Sequence, residues 1–287
     1  MNAVKLLSNE HAISTLCRVL RVNRSTYYKF LHRQPSKRDR ENQRIRTCIV
    51  DLYAKTDKRL GCKKLALCLK RDYRISISCG RVYRLMKTMA LPKMSTVKPL
   101  KASKTKGEEN GVCINVLSQK FEQAAPNLAW ICDFTYIRVG SVFYYLCAIM
   151  NLFARKIIAY KISRHLDTKL ALDTLDAAVA VRGCSNGIIF HTDRGCQFTS
   201  LRFRKHLEML GMVQSFSKKG HPYDNAVMEC FFKFLKREET NRRSYASLDA
   251  LEHSLFAYIN GFYNSLRPHS SNGGLSPNER ERSFCLS

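Results

Sequence analysis

No stretch of this chain approaches the roughly 18 consecutive apolar residues that a membrane-spanning helix needs. The N-terminus, Met-Asn-Ala-Val-Lys-Leu-Leu, has no long apolar run of the kind a secretory leader carries. Twelve cysteines are present, yet none falls in a C-x-x-C pair and their spacing is unpatterned. That argues against a disulfide framework and predicts free thiols in a reducing cytoplasm. No segment repeats at a fixed period. Acidic residues are scarce: 23 Asp and Glu face 49 Lys and Arg, a formal net charge of +26 over 287 residues. A hydrophobic content of 45% still supplies a core, spread over one to three domains.

The shortage of acid is uneven. Residues 1–110 hold 27 Lys and Arg against 8 Asp and Glu, and residues 111–287 hold 22 against 15. A first third this basic predicts a polyanionic partner, most simply nucleic acid. The pattern there is helical. Ile13, Leu16 and Leu20 have helix spacing, Asn23 interrupts, and Ser25 can cap a second helix over 26–32 that offers Tyr27, Tyr28 and Lys29. Short helix, break, basic aromatic helix is the outline of a helix-turn-helix, with Arg24 and Tyr27 as candidate DNA contacts; an ordinary helical hairpin has the same outline.

Ile45, Ile49 and Leu52 predict a helix over 41–54, and residues 63–71 a further one, although Leu65, Leu67 and Leu69 would also suit a strand. Ser78 caps a helix over 79–89, where Val82, Leu85 and Met86 face inward and Arg81, Arg84 and Lys87 recur at intervals of three. No acid occurs from Ile75 to Val97. That row of cations reads as a phosphate-contacting face, against the alternative of a solvated one. Residues 91–126 read as a basic linker, pinned to the next domain by Leu117 and Phe121.

From Asn127 the period changes to two. Strands are expected over 127–136, 143–152 and 156–163, then a helix over 168–181 capped by Asp167, a strand over 187–193, a helix over 201–210, a strand over 213–217, and helices over 225–239 and 248–264. Three meandering strands followed by alternating α and β imply an α/β fold: a mixed five-stranded sheet flanked by helices, preceded by an all-α basic region. The expected division is 1–90 helical DNA-binding, 91–126 linker, 127–246 catalytic core, and 247–287 a C-terminal helix and tail packed on the core.

Three acids stand out in this second part. Asp133 lies in mid-strand among aromatics, in Trp130-Ile-Cys-Asp133-Phe-Thr-Tyr. Asp193 ends a strand, in Phe190-His-Thr-Asp193-Arg-Gly-Cys-Gln-Phe-Thr. Glu229 flanks the apolar stripe Met228, Phe231, Phe232 and Leu235 of a helix. Isolated half-buried carboxylates are costly unless they are paired or bind a metal. Three of them with no His or Cys cluster suit Mg²⁺ or Mn²⁺ better than zinc. Two such ions would activate a hydroxyl and stabilise a leaving oxygen at phosphorus. Taken singly, each acid has a bland reading as a hydrogen-bond acceptor, a turn cap or a helix-face residue. Lys218, Lys219, Lys233 and Lys236 flank Glu229 as candidate phosphate contacts or as solubilising charge. His191 and Gln197 bracket Asp193, to orient water or DNA or to hold the turn. Asp224-Asn225 reads as a helix cap, and Arg267 as a contact to DNA or to a second protomer.

At these residues the chain resembles the bacterial insertion-sequence transposases with a D-D-E integrase core, members of the retroviral-integrase superfamily. The resemblance rests on His191-Thr-Asp193-Arg-Gly-Cys-Gln-Phe, on Lys218-Lys-Gly-His-Pro-Tyr223-Asp224-Asn225-Ala-Val-Met-Glu229 and on Tyr263-Asn264-Ser265-Leu266-Arg267-Pro268-His269, with 35 residues between Asp193 and Glu229. It implies an RNase H-like fold, with Asp133, Asp193 and Glu229 as catalytic metal ligands for two Mg²⁺ (or Mn²⁺) ions. It implies strand cleavage that frees a 3′-hydroxyl at the element's ends, then transfer of that hydroxyl into target DNA with no covalent protein intermediate. The expected partners are double-stranded DNA (element ends and target), further copies of the chain on that DNA, and an upstream-frame companion protein, because many relatives are fusions whose downstream part this chain resembles. Action in the bacterial cytoplasm is expected. Cys196 and Cys230 depart from the family's usual Ser or Thr, and Phe198 from its common Tyr. The competing readings are a sequence-specific DNA-binding regulator or inactive relative, and another nuclease of the same fold; a basic N-terminal third suits a plain RNase H poorly.

Overall fold

The structure is a computed structural model that describes residues 1–32, 34–91, 113–218 and 220–286. Most of the expected linker, and Lys219, therefore lie outside the described residues. The N-terminal part is helical throughout: α1 (Asn2–Leu7), α2 (Ile13–Val19), α3 (Arg24–Leu31), α4 (Lys37–Lys55), α5 (Cys62–Tyr73) and α6 (Cys79–Thr88). Asn23 does more than interrupt. Its side chain accepts the Ser25 amide at 2.9 Å and caps α3, so that helix starts at Arg24 and Ser25 is not its cap. Ser36 and Asp39 form a capping box that starts α4 earlier than its apolar spacing indicates. Residues 62–73 are helix and not strand: Leu65 and Leu69, four apart, are buried, while Leu67 between them is exposed.

The second part contains β1 (Ala129–Val139), β2 (Val142–Asn151), β3 (Lys156–Ser163), α7 (Thr168–Arg182), β4 (Ile189–Thr192), α8 (Cys196–Thr199), α9 (Leu201–Met209), β5 (Val213–Phe216), α10 (Ala226–Glu238), α11 (Leu248–Phe256) and α12 (Pro277–Cys285). The strand order is β3-β2-β1-β4-β5. β1 pairs antiparallel with β2, and β2 with β3; β1 pairs parallel with β4, and β4 with β5. This is the expected mixed five-stranded sheet flanked by helices and preceded by an all-helical region. The expected helix over 248–264 is instead α11 followed by a π-helical segment, Ala257–Tyr263. Asn264 follows that segment, and its side chain pairs with both backbone groups of Ile157, at 3.1 and 2.8 Å. A wider turn thus lets a helix end dock on a strand, a tertiary demand with no period of its own.

Side chains along β1 alternate between two cores. Trp130 and Cys132 join the side built with α7 and α9, whereas Ala129 and Ile131 join the side built with α10, α11 and the helices α4–α6. The N-terminal helices α4–α6 are thus fused to the sheet's second face by a shared core. Polar ties reinforce the seam: Arg59 to Glu239 at 2.6 Å, Lys64 to the Pro268 carbonyl at 2.7 Å and Arg71 to Glu279 at 3.1 Å. Before them, Val4, Leu16, Cys17 and Tyr27 form a separate small core. In the segment preceding β1, Leu117 is buried and its amide donates to Ser215, as the pinning role requires.

Arg267 is 1% exposed and donates to both carboxylate oxygens of Glu238, at 2.7 and 2.8 Å, while Tyr258 donates to the same carboxylate at 2.8 Å. Arg267 is therefore a core residue and not a surface contact to DNA. Removing one partner of such a buried pair leaves the other charge stranded, at a cost of about 3–5 kcal/mol. Arg267→Ala should lower the unfolding free energy by about that much in a urea titration. A loss under about 1 kcal/mol would mean that the pair does not hold the C-terminal segment to α10.

Candidate active site

Two acids share one level of the sheet. In the parallel β1–β4 ladder Ile131 is opposite His191. Asp133 lies two residues beyond Ile131, in the middle of β1, and Asp193 two residues beyond His191, directly after the C-terminal end of β4, where α/β folds gather ligands. The period of two turns Asp133 toward the face that α10 covers, the face of Ala129 and Ile131. Glu229 stands exposed on the first turn of α10, beside the buried Met228.

Each aspartate is held by its own chain. Asp133 is half-buried; its Oδ1 accepts the Phe134 amide at 2.7 Å and its Oδ2 accepts from Asn225 Nδ2 at 2.8 Å. Asp193 is exposed, and its Oδ1 accepts the Gly195 amide at 2.9 Å. Gly195 packs closely against the acid: a Cβ there would lie 3.0 Å from Asp193 Oδ1 and 2.9 Å from Gln197 Oε1, so a larger residue would press on both side chains. Behind the acids the Cys132 thiol is buried. Burial raises its pKa most, the neighbouring Cys147 thiol next, and the Asp133 and Asp193 carboxylates add to both. The thiol stays protonated, which leaves oxygen as the donor atom in front.

The lysines divide. Lys218 and Lys233 are exposed. Lys236 is half-buried, with its ammonium 4.2 Å from the centre of the Tyr136 ring. Burial pulls its pKa down and the Asp133 carboxylate opposes that pull. It is a charge neighbour of Asp133 stacked on an aromatic, not a free surface cation. On the N-terminal helices Arg24, Arg84 and Lys87 are exposed. Arg81 is already engaged, by Glu41 at 2.7 Å and Asn42 at 2.8 Å. Tyr27 is 1% exposed and belongs to the small core; its neighbour Tyr28 is the exposed ring.

The supporting residues also sort out. His191 is buried and bridges β4 to the end of β5, with Nδ1 2.8 Å from Ser215 Oγ and Nε2 3.2 Å from Ser217 Oγ. It holds strands together and is not in position to orient solvent. Gln197 donates to the Leu166 carbonyl at 3.2 Å and braces the loop before α7. Asp224 and Asn225 do not cap α10, which has no side-chain cap bond. Asp224 is a buried hub. It accepts from Asn115 at 2.8 Å, from Gln119 at 2.7 Å and from the Lys218 amide at 2.7 Å. Burial alone would raise its carboxyl pKa, but those hydrogen bonds hold it below the usual range. Sequence reasoning missed this hub because two of its partners, Asn115 and Gln119, lie in the segment just before β1, about a hundred residues away in the chain.

Among the described residues no three His, Cys, Asp or Glu side chains are drawn together closely enough to hold a metal ion. The donor chemistry nonetheless suits a hard cation: two fixed carboxylates, a third on the covering helix, and no competing imidazole or thiolate.

Two integrase core domain models match the chain, over residues 123–222 and 210–277. The chain is 33% identical over 252 residues to the transposase for insertion sequence element IS904 of Lactococcus lactis, covering 88% of this chain and 99% of that protein. It is 31% identical over 278 residues to transposase InsF for insertion sequence IS3A of Escherichia coli, covering 95% and 94%. Among solved structures, a simian T-cell lymphotropic virus intasome aligns at 15% identity and TM-score 0.44 over 80% of this chain and 73% of that one. The HTLV-2 integrase catalytic core domain in complex with magnesium aligns at 16% and 0.39 over 55% and 98%.

Burial lowers the His191 pKa to about 4; burial, followed by the cations Arg267, Lys64 and Arg155, lowers that of His269 to about 2. Both rings stay neutral in the folded chain, whereas the unfolded chain takes up protons near pH 6.5. Their contribution is therefore complete above pH 6.5 and is lost as the pH falls, toward 4 for His191 and toward 2 for His269, by roughly 1.4 kcal/mol per ring at pH 5.5. Urea unfolding at pH 7.5 and 5.5 should show that loss, and His269→Gln should remove about half of it. Equal pH slopes in the two proteins would contradict the assignment.

Proposed function

The chain belongs to the insertion-sequence transposases that carry an integrase core domain, and we propose that Asp133, Asp193 and Glu229 are its catalytic acids. Transposases of this family are polynucleotidyl transferases acting on DNA. The single observation that carries the triad is the pairing of Ile131 with His191, which sets Asp133 of β1 beside the end of β4 that leads into Asp193, on the sheet covered by the helix that bears Glu229.

On this reading the three carboxylates hold Mg²⁺ (or Mn²⁺), two ions per site. The ions would activate water or a 3′-hydroxyl and neutralise charge on the leaving oxygen. The chain's own residues prepare the place. Phe134, Gly195 and Asn225 fix the two aspartates by hydrogen bonds. Glu229, exposed on a helix end, turns inward to complete the set. Lys236 offsets part of the negative charge beside Asp133. Lys218 and Lys233 guide the DNA backbone toward the acids, while Arg24, Arg84 and Lys87 on the N-terminal helices hold it at a distance from them. Lys219 belongs with Lys218 in this role.

The same reading assigns residues 1–90 to DNA binding, 91–126 to a linker, 127–246 to catalysis and 247–287 to packing on the core. It places the enzyme in the bacterial cytoplasm, acting on double-stranded element ends and target as a homo-oligomer, with an upstream-frame companion protein completing end recognition.

Asp193→Asn keeps the side chain's shape and removes its charge. It should lower strand transfer of a pre-cleaved element end into plasmid DNA by at least about a hundredfold. Affinity for the same end in a gel-shift titration should stay within about threefold, because phosphate contacts dominate binding. Undiminished strand transfer would remove Asp193 from the site.

A further inference from the structure

Asn225 closes the 3₁₀ turn Pro222–Asn225 that leads directly into α10. An asparagine in this position ordinarily turns its oxygen onto the first helical amides, which contributes about 1 kcal/mol. Here no such cap bond exists. The side chain is 6% exposed, and its Nδ2 donates instead across to Asp133 Oδ2 at 2.8 Å. Its Oδ1 is buried with no hydrogen-bond partner among the described residues. An unpaired buried amide oxygen costs about 1–3 kcal/mol. A side chain that forgoes its cap and strands its oxygen for a single hydrogen bond is placed for the acceptor of that bond.

That acceptor is fixed from both sides. Oδ1 of Asp133 takes the Phe134 amide at 2.7 Å while Oδ2 takes Asn225, so the plane of the carboxylate is set before any ligand binds. The bond also spans two elements. Asn225 is the last residue before α10, and Glu229 lies one turn along that helix. The contact that aims the β1 acid therefore registers the start of the helix carrying the third acid.

We propose that Asn225 is a positioning residue for Asp133: it orients the carboxylate toward a divalent cation and couples strand β1 to the helix of Glu229. This rests on the reading of Asp133 as a metal ligand. Groups hydrogen-bonded behind metal ligands change affinity by roughly 10–100-fold when they are removed.

The test measures Mn²⁺ binding to the full chain by the electron-paramagnetic signal of free ion, for wild type, Asn225→Ala, Asn225→Leu and Asp133→Asn. Melting temperatures in EDTA are recorded beside it. Both Asn225 variants should bind Mn²⁺ at least about tenfold more weakly with melting temperatures in EDTA close to wild type; leucine fills the space that alanine leaves. Wild-type Mn²⁺ affinity in either folded Asn225 variant, with affinity lost in Asp133→Asn, overturns the positioning role and spares the site. Wild-type affinity in Asp133→Asn overturns the site reading itself. Should neither Asn225 variant fold, the wild-type protein decides. Its Asn225 side-chain amide resonances should shift on adding Mg²⁺, and that shift should vanish in Asp133→Asn. Resonances that ignore Mg²⁺ would refute the proposal.

Discussion

Parallel pairing of β1 with β4 is the constraint from which the site follows. Two acids sixty positions apart in sequence become neighbours only because Ile131 and His191 stand opposite each other. A one-residue slip would send Asp133 to the far face, among the side chains of α7 and α9. Several features fix the register. Ala129, Trp130 and Ile131 are fully buried, His191 bridges to the end of β5 by two serines, and Leu128 accepts the Ile189 amide at 3.0 Å at the entry to the ladder. These strand residues are packed on both faces, a firm base for carboxylates that must not drift when opposite charge arrives.

Electrostatics then separates two kinds of basic residue. Some cations are internal ties: Arg267 with Glu238, Arg59 with Glu239, and Arg182 and Lys156 with Glu281. These use up acids that would otherwise oppose a polyanion, and they lock α4–α6 and α12 to the catalytic part. Arg24, Arg84, Lys87, Lys218 and Lys233 remain on the surface. Net charge alone could not make this division. Helices α4–α6 and the sheet also share a core, so the two are fixed in direction relative to each other.

Much of this was legible in the sequence because it is periodic. The change from helical spacing to alternation at residue 127, the caps at Ser78 and Asp167, and the three acids each left a local signature. What escaped was non-local. Arg267 and Tyr27 look like DNA contacts in a basic chain, and only packing reveals them as core. Asn225 and Asp224 resemble a cap, yet both spend their polar atoms on partners about ninety or more residues away. The π-helical segment after α11 answers the need to seat Asn264 on β3, for which no residue pattern exists.

Metal-dependent chemistry by the three acids is the claim on which the account turns, and one measurement reaches it directly. A supercoiled plasmid bearing the element's own ends is incubated with Mg²⁺, with and without EDTA, using the wild-type protein and its Glu229→Gln variant. The account predicts nicking at the element boundaries by the wild type in Mg²⁺, none in EDTA, and a loss of at least about a hundredfold in the variant with end binding retained. Equal nicking by both proteins, or nicking that persists in EDTA, would contradict it.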